Sequence, residues 1–250
     1  MLTVERQNII LNILKMKETV SIQELVAETN TSESTIRRDI IQLEDKKLLK
    51  RVHGGAARLQ GTIKEANLHE KSNQNLSGKD QIARYAASLP GAGECIYLDA
   101  GTTTLQMIQY LPLDIVVVTN GVTHIEPLLA RGIKTYLAGG FVKGSTGAMI
   151  GNGALYGISK YRFDKCFLGV NGIHPIYGFT TPDPEEASMK QQALKLSREA
   201  YVLADDSKWG EIAFALISPL SEAVIITNDI DAEMMLEYEA KTELKVVKSK

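Results

Sequence analysis

The eight residues Ser32-Glu33-Ser34-Thr35-Ile36-Arg37-Arg38-Asp39 decide the fold of the N-terminal part of this chain. Ser32 can cap a helix, because its hydroxyl accepts a hydrogen bond from a backbone N–H of the first turn. Apolar side chains then recur at helical spacing, at Ile36, Ile40 and Leu43, and predict one buried face. The opposite face presents hydroxyl and guanidinium groups. Its residues are Ser34 and Arg38, with Thr35 and Arg37 on the flanks.

The residues before this helix predict two more helices. Isoleucines and leucines at helical spacing indicate an amphipathic helix over residues 3–16. Ser21 followed by Glu24 has the spacing of a capping box, in which each side chain bonds a backbone N–H at the start of a helix. Thr29-Asn30-Thr31 predicts the break after this second helix, since these residues favour turns. Two helices around a tight turn, the second with a polar outer face, suit the major groove of DNA.

A hairpin is predicted after the third helix. Two apolar segments, Leu48–Val52 and Ala56–Leu59, flank His53-Gly54-Gly55, and such a tight turn needs residues that tolerate positive φ. We expect this hairpin to be a wing that contacts the DNA backbone. The predicted DNA-binding residues are Ser32, Ser34, Thr35, Arg37 and Arg38 in the helix and Lys50, Arg51, His53 and Gly54 in the wing. A small helical bundle with no role in DNA binding is the alternative.

Residues 6–55 resemble the DeoR family of bacterial transcription repressors. The resemblance rests on Arg6, Ile10 and Leu14, on the stretch 32–39, and on His53-Gly54-Gly55. It implies a winged helix-turn-helix domain that binds double-stranded operator DNA. Asp39 need not touch DNA in such a domain, because its carboxylate can orient Arg38 or form an ion pair within the fold.

The composition excludes several classes of protein. Of the 250 residues, 44% are hydrophobic and 23% are charged, with a formal net charge of −2, which excludes a disordered or fibrous chain. Two cysteines exclude a scaffold stapled by disulfides. No apolar run reaches the roughly 18 residues of a membrane-spanning helix, and the N-terminus lacks the pattern of a secretory signal. We therefore expect a cytoplasmic protein with no membrane partner.

Composition also divides the chain into domains. Residues 61–78 are polar, and from residue 79 onward short β-rich runs alternate with clusters of Gly, Thr, Asn and Asp. We predict a winged helix-turn-helix domain at residues 1–60, a linker at 61–78 and a larger α/β domain at 79–250.

One loop of the predicted α/β domain has the composition of an anion site. A predicted strand at Glu94–Leu98 leads into the loop Asp99–Thr104 and then into a helix that continues to Tyr110. Backbone N–H groups and threonine hydroxyls at such a helix start can hold a phosphate. An ordinary strand-to-helix turn fits the same residues. The motif of a Walker loop is absent, so nucleotide hydrolysis has no support.

Four more apolar runs of this domain end in small or polar residues. They end in Thr119-Asn120, Gly139-Gly140, Gly169-Val170-Asn171-Gly172 and Asp205-Asp206-Ser207-Lys208. In open parallel sheets, ligands bind beyond the carboxyl ends of the strands. We therefore expect the five strand ends to share one crevice.

The C-terminal part also resembles the DeoR family, and the two resemblances together cover roughly residues 3–247. The family's effector domain is similar to ribose-5-phosphate isomerase and to coenzyme A transferases, so the expected fold class is α/β, with a winged helix-turn-helix before it. The resemblance implies a repressor of a carbohydrate operon, released from its operator by a phosphorylated sugar such as a ketohexose phosphate. It also implies a homo-oligomer, a dimer or a tetramer.

The implied effector site divides into three parts. Asp99 would accept hydrogen bonds from sugar hydroxyls, Gly101 to Thr104 would hold the phosphate, and Asn171, Asp206 and Lys208 would close the crevice. The predicted effector-binding residues are Asp99, Gly101, Thr102, Thr103, Thr104, Thr119, Asn120, Gly139, Gly140, Asn171, Gly172, Lys190, Asp206 and Lys208.

We predict that the chain is not an enzyme and has no catalytic residues, no cofactor and no metal. The isomerases carry acidic residues in a segment that corresponds here to Gly169–Ile173, where the amide of Asn171 cannot act as a base. Glu185, Glu186 and Lys190 form either a solvated helix face or a ligand contact. The four histidines lack the spacing of metal ligands. The alternatives are an isomerase-type enzyme with a DNA-binding appendage and an activator that binds DNA only with its ligand.

Overall fold

A computed structural model describes residues 2–17, 19–46, 48–52, 54–57, 72 and 74–247 of the chain. The chain divides into two compact units, residues 1–61 and residues 62–250. His53, a predicted wing residue, lies outside the described residues, and so does most of the segment predicted as a linker.

The N-terminal unit contains three helices and a small antiparallel sheet. The helices are α1 (Thr3–Met16), α2 (Ile22–Thr29) and α3 (Glu33–Asp45), and the strands are β1 (Thr19–Ser21), β2 (Lys50–Val52) and β3 (Gly55–Ala57). The strand order is β1-β3-β2, so the predicted hairpin gains a third strand that the sequence analysis did not anticipate. Three residues are too short a run for strand periodicity to be visible.

The helix ends of this unit follow from local side-chain hydrogen bonds. The Ser32 hydroxyl accepts a hydrogen bond from Thr35 N at 3.3 Å, and Asn30 forms the turn in the left-handed region with φ 49°. The Ser21 hydroxyl accepts from Glu24 N at 3.2 Å. The expected return bond of the capping box is not formed, because the Glu24 carboxylate is paired with Lys17 instead.

A buried ion pair fixes α1 against α3. The Arg6 guanidinium donates through Nε to Asp39 Oδ2 and through Nη2 to Asp39 Oδ1 at 3.1 Å. Both residues are buried, and Asp39 lies on the same helix face as Ile36 and Ile40. The hydrogen bond with Asp39 raises the pKa of Arg6 above its ordinary value. Of the two roles open to Asp39 from the sequence, the structure shows the ion pair within the fold.

The C-terminal unit is built on a seven-stranded sheet in which every neighbouring pair of strands is parallel. Its order is β15-β14-β12-β9-β4-β5-β6, from β4 (Cys95–Leu98), β5 (Val116–Thr119), β6 (Lys134–Leu137), β9 (Phe163–Gly169), β12 (Ser197–Leu203), β14 (Val224–Thr227) and β15 (Leu244–Val246). This sheet confirms the predicted α/β fold class.

Helices cover both faces of this sheet, and two smaller sheets extend it. The helices are α4 (Leu76–Ala87), α5 (Thr102–Met107), α6 (Ile125–Ala130), α7 (Gly151–Ser159), α8 (Pro184–Leu196) and α9 (Ala232–Glu239). The smaller sheets are the hairpin β7 (Phe141–Lys143) with β8 (Ala148–Ile150), and the set β10 (Gly172–His174), β11 (Gly178–Thr181) and β13 (Ala215–Ser218).

Side chains of β4 alternate between two hydrophobic cores. Ile96 and Leu98 pack with α4 and α5, whereas Tyr97 packs on the opposite face with α7 and α8. Asp99 continues the alternation, so its carboxylate meets α8, where Lys190 pairs with it. The phase of this strand therefore places a charged pair at the carboxyl end of the sheet.

The Arg6–Asp39 pair generates a stability prediction. Replacing Asp39 by Asn leaves the buried guanidinium without its counter-charge, and we expect the free energy of unfolding of the N-terminal unit to fall by about 3 kcal/mol. Urea unfolding of the full chain, followed by circular dichroism, measures it. Asp45→Asn, at the exposed end of the same helix, is the control and should change this free energy by less than about 0.5 kcal/mol. Equal effects of the two substitutions would contradict the role given to the pair.

Candidate DNA-binding surface and effector pocket

The outer face of α3 presents the predicted hydroxyl and guanidinium groups. Ser32, Ser34, Arg37 and Arg38 are exposed, and Thr35 is half-buried. The Ser32 hydroxyl lies 3.0 Å from that of Ser34 and 2.9 Å from that of Thr35. Three hydroxyls therefore cluster at the N-terminal end of the helix, where a helix-turn-helix protein contacts DNA.

The arginines of this surface differ in their ion pairs. Arg37 bonds Glu33 at 2.6 Å, one turn earlier on α3, and Arg51 of β2 bonds Glu44 at 2.6 Å. Exposed pairs of this kind contribute little free energy, so a DNA phosphate can replace the carboxylate. Arg38 has no ion-pair partner among the described residues. Arg38 is therefore the arginine of α3 that can bond DNA without first giving up a carboxylate.

The hairpin has the geometry predicted for a wing. Gly54 forms its turn with φ +76°, a region that side chains disfavour, and Gly54 and Arg51 are exposed. Lys50 is half-buried at the start of β2. Basic and small residues thus lie on the described part of the hairpin.

A pocket in the C-terminal unit opens at the carboxyl ends of β4, β9 and β12. Seven predicted effector residues line it: Gly101, Thr102, Thr103, Thr104, Asn171, Lys190 and Lys208. The polar lining residues that the sequence analysis did not assign to this site are Gln74, Lys79, Thr146, Glu186 and Asp205. The three adjacent central strands therefore share one crevice, as expected of a parallel sheet.

All three threonines of the loop line the pocket, but they use their hydroxyls differently. Thr102 and Thr103 line the pocket and are largely buried. The Thr104 hydroxyl is directed at the backbone carbonyls of Asp99, at 2.6 Å, and Gly101, at 2.9 Å, so it shapes the loop. Because α5 has only six residues, its dipole is small. The capacity of the loop to hold an anion therefore lies in its N–H groups and in the hydroxyls of Thr102 and Thr103.

Lys79 brings a buried ammonium group to the same pocket. It lies in the first half of α4 and is only 4% exposed. It shares the buried face of α4 with Ile82, Ala83 and Ala86, at spacings of three, four and seven residues. The signal that could have identified Lys79 from the sequence is its helical spacing from Ile82, Ala83 and Ala86, which places a lysine on an apolar helix face.

Asp99, predicted to accept hydrogen bonds from sugar hydroxyls, does not line the pocket; it forms a buried ion pair with Lys190, which does. Lys190 Nζ bonds Asp99 Oδ2, and the same oxygen accepts a hydrogen bond from Gly169 N at 3.1 Å. Burial raises the pKa of Asp99 above its ordinary value, although the Lys190 ammonium opposes this shift. The pair joins β4, β9 and α8, and Lys190 itself faces the pocket.

Two carboxylates, those of Glu186 and Asp205, line the pocket and are held by neighbouring side chains. Glu186 of α8 accepts hydrogen bonds from the Thr146 hydroxyl at 2.8 Å and from Lys143 Nζ at 3.1 Å. Asp205 follows β12 and is 2% exposed. Burial acts to raise the pKa of Asp205, but Lys208 and hydrogen bonds from the residues around it lower it overall. Both groups can accept hydrogen bonds from ligand hydroxyls.

Asp206, predicted to close the crevice, does not line it. Its side chain is exposed, and its backbone N–H donates to Asn228 Oδ1 at 3.2 Å. Asp205, one residue earlier, has the buried position instead. The tight turn after β12 selects between the two neighbouring aspartates, and this selection is not visible in the sequence.

Five other predicted effector residues also lie outside the pocket lining. The Thr119 hydroxyl donates to Leu98 O at 2.7 Å, and Asn120 Oδ1 accepts from Ala100 N at 2.8 Å, so these two residues support the loop after β4. Gly139 and Gly140 follow the edge strand β6, and Gly172 begins β10. The strands β5 and β6 lie on the side of β4 away from β9 and β12, which explains their absence from the lining.

The sequence matches two family descriptions. Residues 6–62 match the DeoR-like helix-turn-helix domain, and residues 74–241 match the DeoR C terminal sensor domain. The chain belongs to the DeoR family. It is therefore a helix-turn-helix transcriptional regulator with a sensor domain, and not an enzyme, as the sequence analysis predicted.

Two curated relatives of this DeoR-family chain span nearly its full length. The "Uncharacterized HTH-type transcriptional regulator FruR" of Bacillus subtilis is 53% identical over 250 residues, which cover 99% of this chain and 100% of the relative. The "Lactose phosphotransferase system repressor" of Staphylococcus aureus is 32% identical over 97% of this chain and 98% of its own length.

Among solved structures, ribose 5-phosphate isomerase A of Methanocaldococcus jannaschii is similar with a TM-score of 0.41 and 17% identity, over 54% of this chain and 55% of the isomerase. In the part of the chain that the structure describes, no helix is long and apolar enough to span a membrane, and no cluster of three or more His, Cys, Asp or Glu residues could hold a metal ion.

The exposed guanidinium of Arg38 generates a prediction about DNA binding. Arg38→Ala should weaken operator binding by about 1–3 kcal/mol if the side chain bonds a base, which is roughly five- to 150-fold in Kd. Fluorescence anisotropy with labelled operator DNA measures the change. Arg198→Ala, at an exposed position of the C-terminal unit, is the matched control and should leave Kd unchanged. An unaltered affinity for the Arg38 variant would remove this residue from the interface.

Proposed function

We propose that this regulator represses a carbohydrate operon and leaves its operator when a phosphorylated sugar binds the pocket of its C-terminal unit. The observation that carries the proposal is the composition of the pocket: the buried ammonium of Lys79 and the loop threonines Thr102 and Thr103 line the same cavity as Asn171 and Asp205. A phosphorylated sugar has both a dianion and several hydroxyls, and the pocket offers groups suited to each.

The phosphate part of the proposal rests on charge and on donors. A phosphate monoester has three acceptor oxygens and a charge of about −1.5 to −2 at neutral pH. Backbone N–H groups, two hydroxyls and an ammonium are all donors, and a bond from an ammonium to a phosphate is stronger than a neutral hydrogen bond. We therefore assign the phosphate to Lys79 and the loop 101–103, with Lys190 and Lys208 adding positive charge to the lining.

The sugar part of the proposal rests on acceptors and on an amide. The carboxylates of Asp205 and Glu186 accept hydrogen bonds and are held in place by neighbouring side chains. Asn171 Oδ1 accepts a hydrogen bond from the Thr181 hydroxyl at 3.1 Å, which orients the amide so that its NH₂ group is left for a ligand. Fixed polar groups of this kind discriminate between hydroxyl patterns, because an unmatched group loses its partner on desolvation.

The relatives favour repression over activation and a sugar over other phosphates. The Staphylococcus aureus relative is named a repressor of the lactose phosphotransferase system and spans nearly the whole chain. A ketohexose phosphate is our proposed effector. We also propose a symmetric dimer or tetramer, because paired operator half-sites require paired helix-turn-helix domains.

The test is fluorescence anisotropy of the full chain on DNA from upstream of its own operon, at two salt concentrations. Phosphate esters of fructose, tagatose, galactitol and glycerol would then be titrated in, with the unphosphorylated sugars and inorganic phosphate as controls. We expect specific binding that falls with salt and is reversed by one sugar phosphate only. Absence of specific binding, or release by an unphosphorylated sugar, would contradict the proposal.

Lys79 and Thr103 give a sharper prediction for the phosphate. Lys79→Met keeps much of the side-chain volume and removes the charge, so the sugar phosphate should bind at least about tenfold more weakly, as expected for a lost charge-assisted hydrogen bond. Thr103→Val should weaken it by a smaller factor. Isothermal titration calorimetry measures both, and operator affinity without effector should be unchanged.

The control for these two substitutions is Lys195→Met, at an exposed position near the end of α8. It removes one positive charge from the same unit without touching the pocket. If Lys195→Met weakened effector binding as much as Lys79→Met, the effect would be one of net charge, and the assignment of the phosphate to Lys79 would be wrong.

A further inference from the structure

The pocket includes residues from the end of the predicted linker and from the start of α4. Gln74 and Lys79 both line the pocket, and Asn75 lies between them at the start of α4. No other part of the pocket lining is so close in the chain to the helix-turn-helix domain. In the chain, residue 75 therefore lies between most of the pocket lining and the helix-turn-helix domain.

Asn75 has an unusual conformation for a helix N-cap. Its backbone is left-handed, with φ 50° and ψ 41°, and its side chain makes no capping hydrogen bond with α4. The N-caps Ser21, Ser32 and Asp183 of this chain are all extended, and each accepts a hydrogen bond from the first turn of its helix. Asn75 thus lacks the extended backbone and the side-chain cap hydrogen bond that these three residues have, although asparagine is a residue that commonly forms such a cap.

The Asn75 side chain instead forms a hydrogen bond with a residue that is distant in the chain. Its Nδ2 donates to Oδ1 of Asp205, a residue 130 positions later in the chain, at 3.0 Å. The same oxygen accepts from Ser207 N at 3.0 Å. Gly78 lies against the side chain of Asn228, where an added Cβ would come within 2.9 Å. Residues 75–78 are thereby held against the turn after β12 and the end of β14.

Besides the conformation that the structure shows, an asparagine at this position can adopt the ordinary N-cap geometry. In the latched conformation, which the structure shows, the backbone is left-handed and the side chain bonds Asp205. In the capped conformation, the backbone is extended and the side-chain oxygen accepts a hydrogen bond from the N–H of Ser77 or Gly78. Each conformation gives the Asn75 side chain one partner, and a ligand shifts the balance between them by its difference in affinity for the two.

We propose that the effector holds residues 74–79 in the latched conformation, and that this conformational switch at Asn75 couples the pocket to operator release. A ligand that contacts Lys79 and Gln74 as well as Asp205 makes all of its contacts only when these residues lie close together. It therefore binds the latched state more tightly than the capped state. The capped state is then the one that binds the operator. This inference rests on the proposed sugar-phosphate effector.

The decisive variant is Asn75→Ser in the full chain. Serine is a good extended N-cap but is disfavoured in the left-handed region, so it shifts the balance to the capped state. Without ligand, we expect slower hydrogen exchange at the amides of residues 77 and 78 than in the wild type, because the cap protects them. Saturating sugar phosphate should restore the wild-type exchange, and half-release of operator DNA should need at least tenfold more ligand.

A second variant separates the switch from a merely structural contact. Asn75→Gly loses the bond to Asp205 but tolerates the left-handed backbone and has no side chain to cap α4. We expect fast exchange at residues 77 and 78 and half-release within threefold of the wild type. Asn152→Ser, an exposed position in the first turn of α7, is the matched control and should match the wild type in both measurements.

The outcomes distinguish this inference from the proposed function. The probes are fructose 1-phosphate, fructose 6-phosphate and tagatose 6-phosphate, with binding measured by calorimetry and release by anisotropy. If none binds or releases the wild type, the proposed effector class fails and the switch fails with it. Suppose instead that one of these sugar phosphates releases the wild-type protein from operator DNA. The switch alone is then overturned if Asn75→Ser behaves like the wild type, or if Asn75→Ser and Asn75→Gly lose the response to the sugar phosphate equally.

Discussion

The ion pair between Asp99 and Lys190 is the interaction on which the pocket of the C-terminal unit depends. Neither side chain has appreciable contact with water, so each charge requires the other, and removal of either would leave an uncompensated buried charge. Since Asp99 Oδ2 also accepts from Gly169 N, the pair fixes the ends of β4 and β9 and the middle of α8 at one point. The loop 101–104, Asn171 and Glu186 are positioned around that point.

The N-terminal unit uses the same physical device at a different place. Arg6 and Asp39 form a buried pair between α1 and α3, so the orientation of the helix that presents Ser34 and Arg38 is tied to the core. Both units thus place a buried charged pair directly behind a candidate binding surface. A buried pair has narrow geometric tolerance, because a small displacement loses the hydrogen bonds and keeps the desolvation penalty.

Donors within the fold already occupy the carboxylates in and beneath the pocket. Asp99 is paired with Lys190, Glu186 is held by Thr146 and Lys143, and Asp205 accepts hydrogen bonds from Asn75 and Ser207. A general base must be able to take up a proton from the substrate. Carboxylates fixed by several donors are better suited to recognising hydroxyls, and through Asn75 one of them is connected to the segment that leads to the helix-turn-helix domain.

The sequence by itself determined the features that depend on neighbours in the chain. Two local patterns predicted α3: the Ser32 cap and the helical spacing of Ile36, Ile40 and Leu43. The β-rich runs ending in small residues are also local, and they predicted the parallel strands and the threonine loop. Only the tertiary structure decided which strand ends meet. The order β12-β9-β4 brings Lys79, Glu186 and Asp205 to the pocket, whereas β5 and β6, on the other side of β4, leave Asn120 and Gly140 outside it. The physical reason is that strand order and the phase of a turn are set by packing between residues distant in the chain, which local periodicity does not encode.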